Sequence, residues 1–324
     1  MRLATLSDGS RDGRLAIVSP DQMWAVTANA ARTLLQALEN WAECEPALRA
    51  QALALQARSL GDAFPFRREG VLAPLPRAPQ WLDASAFRTH SELIAEAWQT
   101  PNRFDEQIPL MYQGASDDFL PAHGPSRLPD ESHDIDFEAE VAVIVDEVAL
   151  GTSAVAALER IRLVMLANDV SLRAFGPREQ QSGFGFLQAK PSTIFSPWAI
   201  TPDDLGGLWQ PGRFCSTVTA RVNGTWIGEP DASHMAFSFG DLVAHAAKTR
   251  RLSAGTIIGS GTVSDPDRRK GSATLVELRA VEKLEYGEPR TPFLKFGDRV
   301  EIDALDSKGR SLFGHIDHTI ARSS

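Results

Sequence analysis

The sequence predicts an α+β fold, mostly β, in which a small N-terminal domain precedes a larger, sheet-rich one. Three observations lead there. Residues 25–60 have helical composition, residues 70–81 are punctuated by Pro74, Pro76 and Pro79, and most apolar runs after them are short and bounded by turn residues. At 324 residues the chain exceeds the usual size of one domain. The proline-rich stretch sets the boundary, giving domains over 1–76 and 77–324.

In the first domain, apolar runs at 2–5 and 13–18 flank "SDGSRDG", whose Gly and Asp residues suit a turn, so they predict a β-hairpin. A helical pair follows across 25–60, with Pro46 opening the second helix after a break. In the second domain the predicted strands are 139–145, 217–222, 256–258, 274–280, 299–304 and 312–320. The predicted helices are 153–166 and 239–249. No repeat or low-complexity segment interrupts them.

Composition narrows the function. A formal net charge of −9 disfavours phosphate-backbone binding, because nonspecific nucleic-acid affinity comes from Lys and Arg neutralising phosphates. The longest apolar stretches are too short to span a bilayer, and charge interrupts the N-terminus before a signal-peptide core develops. The expectation is a cytoplasmic protein whose partner is neither nucleic acid nor membrane. Cys44 and Cys215 lie far apart, which argues against a disulfide scaffold or a Cys-based zinc site.

The stretch "DIDFEAEVAVIVD", residues 134–146, alternates Asp134, Asp136, Glu138 and Glu140 with apolar residues. With a strand's two-residue period, all four acids share one face. The following "VAVIV" is apolar on both faces, so Glu138 and Glu140 stand at the edge of a buried region, where unpaired carboxylates are costly. A hard divalent cation removes that cost, since Mg²⁺ and Ca²⁺ prefer oxygen ligands. Asp134 and Asp136 lie nearer the turn-forming "DESHD" and are expected to be solvated there, outside any metal set.

Further oxygens come from elsewhere. "WLDASAFRTH" supplies Asp83, with His90 seven positions on, and "VMLANDVSLR" supplies Asp169, expected just after an apolar helix. Taken singly, Asp83 reads as a turn residue, His90 as a surface or satisfied histidine, and Asp169 as a helix cap. Together they form a pattern. In order and approximate spacing, Asp83, His90, Glu138-x-Glu140, Asp169 and Lys190 in "FLQAKPSTIFSPW" resemble the fumarylacetoacetate hydrolase family. The likeness extends through "HGPSRLP", "GSGTVSDPD" (259–267) and "GSATLVELRAVE" (271–282).

The resemblance implies a rolled β-sheet catalytic domain, an SH3-like module within the N-terminal domain, and a homodimer. It implies metal-dependent hydrolysis of a carbon–carbon bond in a diketo acid, fumarylacetoacetate foremost. Asp83, Glu138, Glu140 and Asp169 match the family's ligands to Mg²⁺ or Ca²⁺. His90 matches the base that activates water, Glu277 the acid that orients it, and Lys190 the lysine that polarises the substrate carbonyl. Tyr112 in "LMYQG" and Thr262 in "GSGT" match substrate contacts. Acylpyruvate hydrolysis, oxo-acid decarboxylation and 2-oxo-alkenoate hydration are other outcomes within the family. A non-catalytic metal- or ligand-binding homologue is the alternative of a different class.

The sequence also departs from the family pattern. Ala84 stands where an aromatic residue often follows the first aspartate, and Ser85 where animal enzymes have tyrosine. Arg103 is the nearest candidate for the substrate-binding arginine, at a different spacing, and Gln180 or Gln181 for the glutamine. "GTIIGSGT" lacks the lysine, serine and following helix of a phosphate loop. In "HIDH", a strand would turn His315 and His318 to opposite sides, so both are expected at the surface.

Overall fold

The computed structural model describes residues 1–323. Its centre is the strand Ala139–Val145, wholly buried, antiparallel to Ile161–Asn168 on one side and to Ile257–Gly259 on the other. Both faces of this strand are apolar because each meets a different core. Val141, Val143 and Val145 pack with Val300, Ile302 and Ile316 of a second sheet. Ala142 and Ile144 pack with Leu34, Leu38, Trp41 and Leu48 of two N-terminal helices. The alternation therefore divides one run of side chains between two hydrophobic layers.

The main sheet runs, edge to edge, through Phe64–Pro65, Trp24–Thr27, Arg14–Val18, Arg2–Leu6, Trp198–Ile200, Ile161–Asn168, Ala139–Val145, Ile257–Gly259, Trp81–Ala84 and Met111–Gly114. The hairpin expected at the N-terminus is present, Arg2 opposite Val18. Its strands do not close on themselves. Arg2–Leu6 pairs with Trp198–Ile200, so they extend the main sheet, and the topology gives no support to an SH3-like module or a closed barrel among the described residues. The second sheet orders Thr225–Gly228, Thr219–Val222, Arg299–Asp303, Ile316–Arg322 and His123–Leu128. No helix among the described residues is long and apolar enough to cross a membrane.

Three segments differ from expectation. Residues 153–166 form only a short helix, Ala154–Leu158, after which Ile161–Asn168 is a strand in the middle of the sheet, where its apolar run buries both faces. Asp169 thus follows a strand and caps no helix. Residues 24–27 are a strand, and the second N-terminal helix begins at Trp41 with Pro46 inside it.

The third difference bears on the site. Residues 274–280, expected as a strand, begin the helix Leu275–Tyr286. Its apolar side chains at Ala280, Val281 and Leu284 recur at helical spacing and pack on Leu93, Ile94 and Ala97 of the helix Arg88–Trp98. Asp136 fixes the helix start: its carboxylate accepts the backbone N–H groups of Leu275 and Val276 at 2.9 and 3.0 Å and the Thr274 hydroxyl at 2.8 Å. Arg173 donates to the same carboxylate at 2.9 Å.

Asp136 is therefore fully buried, and the expected solvation of this residue is wrong. Asp134 adopts a left-handed backbone conformation, φ 56°, which breaks the alternation before it reaches the site. Replacing Asp136 with Asn should cost about 1–3 kcal/mol, because an amide keeps the shape while weakening a charge-assisted cap and leaving Arg173 short of a partner. Urea unfolding measures this. An unchanged midpoint would mean that the cap contributes nothing. Asp134→Asn should leave stability and activity near wild type.

Candidate active site

Four elements converge at the start of the central strand. Asp83 lies on Trp81–Ala84, Glu140 on Ala139–Val145, Asp169 just past Ile161–Asn168, and Tyr112 on Met111–Gly114 beside Asp83. Carboxylate oxygens of Asp83, Glu140 and Asp169 lie within 4.8 Å of one another, and all three residues are buried. Such proximity requires a strand without a side chain between them. Gly259 provides it: a Cβ there would collide with Asp83 Oδ1 and the Trp81 ring and come 3.0 Å from Glu140 Oε2.

The three acids are not equally satisfied. Asp169 accepts from the Tyr112 hydroxyl at 2.6 Å and the Thr193 hydroxyl at 2.9 Å, and Asp83 accepts from the Gly261 N–H at 3.1 Å. Neither Glu140 oxygen has a hydrogen-bond partner among the described residues. Burial, with Asp83 and Asp169 beside it, pushes the Glu140 carboxyl well above its usual range. Burial and Asp169 push Asp83 up to about 8. These are acids held together against their own repulsion.

Glu138, placed with them by the resemblance, is engaged differently. Its oxygens meet Lys190 Nζ and Arg173 Nη2, each at 2.7 Å. Burial opposes its ionisation, but Lys190 and Arg173 outweigh that and hold the carboxyl below the usual range. Lys190 also reaches Asp169 Oδ2 at 2.7 Å and the Ser171 hydroxyl at 2.8 Å. Although burial disfavours the ammonium, Asp169 and Glu138 keep it charged.

His90 and Glu277 come from the two helices that pack together, Arg88–Trp98 and Leu275–Tyr286. Nδ1 of His90 lies 3.6 Å from Glu277 Oε2, beyond hydrogen-bond length, and both atoms are buried without another partner. The other Glu277 oxygen accepts the Ser264 hydroxyl. A cleft of about 230 Å³, lined by Thr89, Glu92, Asp265 and Ser272, opens onto Glu277.

The remaining expected residues are more loosely tied to this centre. Thr262 is buried in the loop after Ile257–Gly259, with no hydrogen bond to the other named residues. Arg103 is exposed, its guanidinium 3.5 Å from the carbonyl of Gln180, so the candidate arginine and glutamine segments do meet. His318 is not at the surface: it is 2 % exposed, and its Nε2 lies 2.7 Å from Asn168 Nδ2, next to Asp169. Arg173, Thr193, Ser264 and Gly259 were missed. Only Gly259, in "GSGT", carried a local signal, that of a backbone needing close approach.

Known proteins resemble the chain as a whole. Residues 80–321 match the family described as "Fumarylacetoacetate (FAA) hydrolase C-terminal", and residues 1–77 match "Fumarylacetoacetase N-terminal domain 2". The chain is 28% identical over 233 residues to fumarylacetoacetase of Caenorhabditis elegans, covering 63% of this chain and 54% of that protein. It is 26% identical over 157 residues to oxaloacetate tautomerase fahd2, mitochondrial, of Xenopus laevis, covering 48% and 47%. The chain thus spans about half the length of these curated relatives. Maleylpyruvate hydrolase from Sphingobium sp. SYK-6, solved in complex with manganese(II) ion and pyruvate, superposes over 100% of both chains with a TM-score of 0.68 at 15% identity, which shows a common fold. A sequence match that begins just before Asp83 and ends in the last strand takes in the carboxylate cluster, the second sheet and the strands of the main sheet from Trp81 onward: this chain belongs to the fumarylacetoacetate hydrolase family.

Proposed function

We propose that the protein is an enzyme that hydrolyses a carbon–carbon bond in a small diketo acid, with fumarylacetoacetate the first candidate. The observation that carries this reading is the buried trio of Asp83, Glu140 and Asp169, in which neither Glu140 oxygen has a hydrogen-bond partner, together with the pairing of His90 with Glu277. Asp83, Glu140 and Asp169 fit a hard divalent cation, Mg²⁺ or Ca²⁺, because the donors are all oxygens and Glu140 has no other use for its two. Glu138 is assigned as a fourth ligand shared with Lys190 and Arg173. Held by these residues, such a cation would supply Lewis-acid stabilisation of the negative charge that develops on the substrate's oxygens.

The chain's own residues supply the rest. His90 takes a proton from water, whose oxygen bonds to one carbonyl carbon, and Glu277 orients the ring and stabilises its charge. Lys190 donates to the developing oxyanion. Cleavage of the carbon–carbon bond returns the electron pair to the departing enolate, which takes up a proton, so one diketone and one water give one carboxylic acid and one ketone. Tyr112 and Thr262 are assigned to substrate contact.

Relatives named as tautomerase and isomerase/decarboxylase act without net hydrolysis or with loss of CO₂. A water-activating pair favours hydrolysis here. Incubating the Mg²⁺-loaded protein with fumarylacetoacetate, acylpyruvates and oxaloacetate should give acid and ketone from a diketo acid. Tautomer exchange or CO₂ alone would overturn the reading, and no turnover of any would favour the non-catalytic homologue.

We assign the protein to the cytoplasm as a homodimer. Two free cysteines suit a reducing compartment, and Phe184 and Leu187, 98% and 82% exposed, offer apolar surface of the kind a second copy covers. A monomer mass by light scattering would refute the dimer.

The cation should also stabilise the fold, more strongly at high pH. Asp83 titrates at 3.8 when free and at about 8 when buried in the metal-free fold, so its protonated form contributes stability that is lost as pH rises through that window. A cation takes the place of those protons. The gain in Tm on adding Mg²⁺ should therefore be small at pH 5.5 and larger at pH 8.5 by thermal denaturation. An equal gain at both would count against the cluster as the binding site.

A further inference from the structure

We propose a second metal site, for a first-row transition ion such as Zn²⁺ or Ni²⁺, formed by His123, His315 and Asp317 in the second sheet. One ligand atom from each of these three residues lies within 4.8 Å of the others. The fold brings them together from two strands. His123 opens the strand His123–Leu128 and is the register partner of Asp317 on the parallel strand Ile316–Arg322. His315 precedes that strand with φ 35°, and this turn sets its ring against His123, centroids 5.3 Å apart at 84°.

The chemistry of the set differs from that of the carboxylate cluster. Two imidazoles and one carboxylate suit Zn²⁺ or Ni²⁺ rather than Mg²⁺ or Ca²⁺. Nε2 of His123 is buried with no hydrogen-bond partner. Burial and then the nearby Arg68 push His315 down to about 4, and the same causes lower His123. Neutral imidazole is the ligating form.

Two arginines already use this site. Arg299 binds Asp317 through both oxygens, at 2.6 and 2.7 Å, and a carboxylate retains lone pairs for another partner. Arg68, from the N-terminal domain, places Nη1 3.0 and 3.1 Å from the two ring nitrogens of His315. A guanidinium and a metal ion cannot share that ring. Arg68 is accordingly a competitor, and its half-buried, flexible stem lets it leave. Loading the site would release a tie between the N-terminal domain and the second sheet.

The competition gives the test its sign. Protein saturated with Mg²⁺ is titrated with Co²⁺, and histidine coordination is followed by visible absorption. A Co²⁺ site should appear that Mg²⁺ does not displace. His123→Ala should weaken it by more than the roughly 10–100-fold that loss of a supporting partner costs. His315→Ala, in a half-exposed turn, should do the same if His123→Ala fails to fold. Arg68→Ala should tighten it severalfold, which a nonspecific surface site would not show. Equal Co²⁺ binding by wild type and His315→Ala, or no tightening in Arg68→Ala, would overturn the proposal.

Discussion

Glu140→Gln is expected to lose at least about 100-fold in Mg²⁺ or Mn²⁺ affinity by calorimetry, more than loss of a supporting partner usually costs. Its metal-free form should nevertheless melt at a higher temperature than wild type. Both effects have one cause. Glu140 is a fully buried acid whose two oxygens have no hydrogen-bond partner and face Asp83 and Asp169. Without a cation it is a burden on the fold, and an amide of the same shape can donate to a neighbouring carboxylate instead.

Glu138→Gln should behave in the opposite sense. Its carboxylate compensates Lys190 and Arg173, both of which the substitution would leave short of a partner in a buried setting. Its metal-free Tm should fall, while its metal affinity falls less than that of Glu140→Gln. The two glutamates are two residues apart on one chain, yet in the proposed reading one serves a bound metal ion and the other mainly pairs with Lys190 and Arg173. If both variants shifted Tm and affinity alike, that division of labour would be wrong.

The central strand was legible because its signal is local, whereas Asp83 and Asp169 joined Glu140 only through the family resemblance. "AEVAVIV" declares a strand buried on both faces, and Glu140 stands at its edge. The helix Leu275–Tyr286 was hidden because its cap is not local. Asp136 lies 139 positions from Leu275 in sequence, and without it "ATLVEL" reads as a strand with β-branched residues and alternation. The same holds for His318. Alternation in "HIDH" could not reveal that the facing layer supplies Asn168 as its partner. Arg173 joins Asp136 to Glu138 and so links the start of the helix carrying Glu277 to the carboxylates, a contact no spacing announces.

His90→Ala should lower kcat by about 10²–10⁴-fold while leaving Mg²⁺ affinity near wild type. The separation follows from geometry: His90 sits on the helix Arg88–Trp98 facing Glu277, outside the trio of Asp83, Glu140 and Asp169. Glu277→Gln should cost less, since the amide oxygen can still accept the ring N–H but offers no charge to stabilise an imidazolium. The 3.6 Å between Nδ1 and Oε2 is too long for a hydrogen bond, so the proposed pairing requires the gap to close with substrate in place. Ser264 holds the far oxygen of Glu277, so Ser264→Ala should loosen that orientation and lower kcat with little change in KM. Added imidazole should restore part of the rate to His90→Ala but none to Glu277→Gln, whose ring is already present. If His90→Ala retained substantial turnover, or lost metal binding along with it, the histidine would not be the base and water would have to be activated elsewhere.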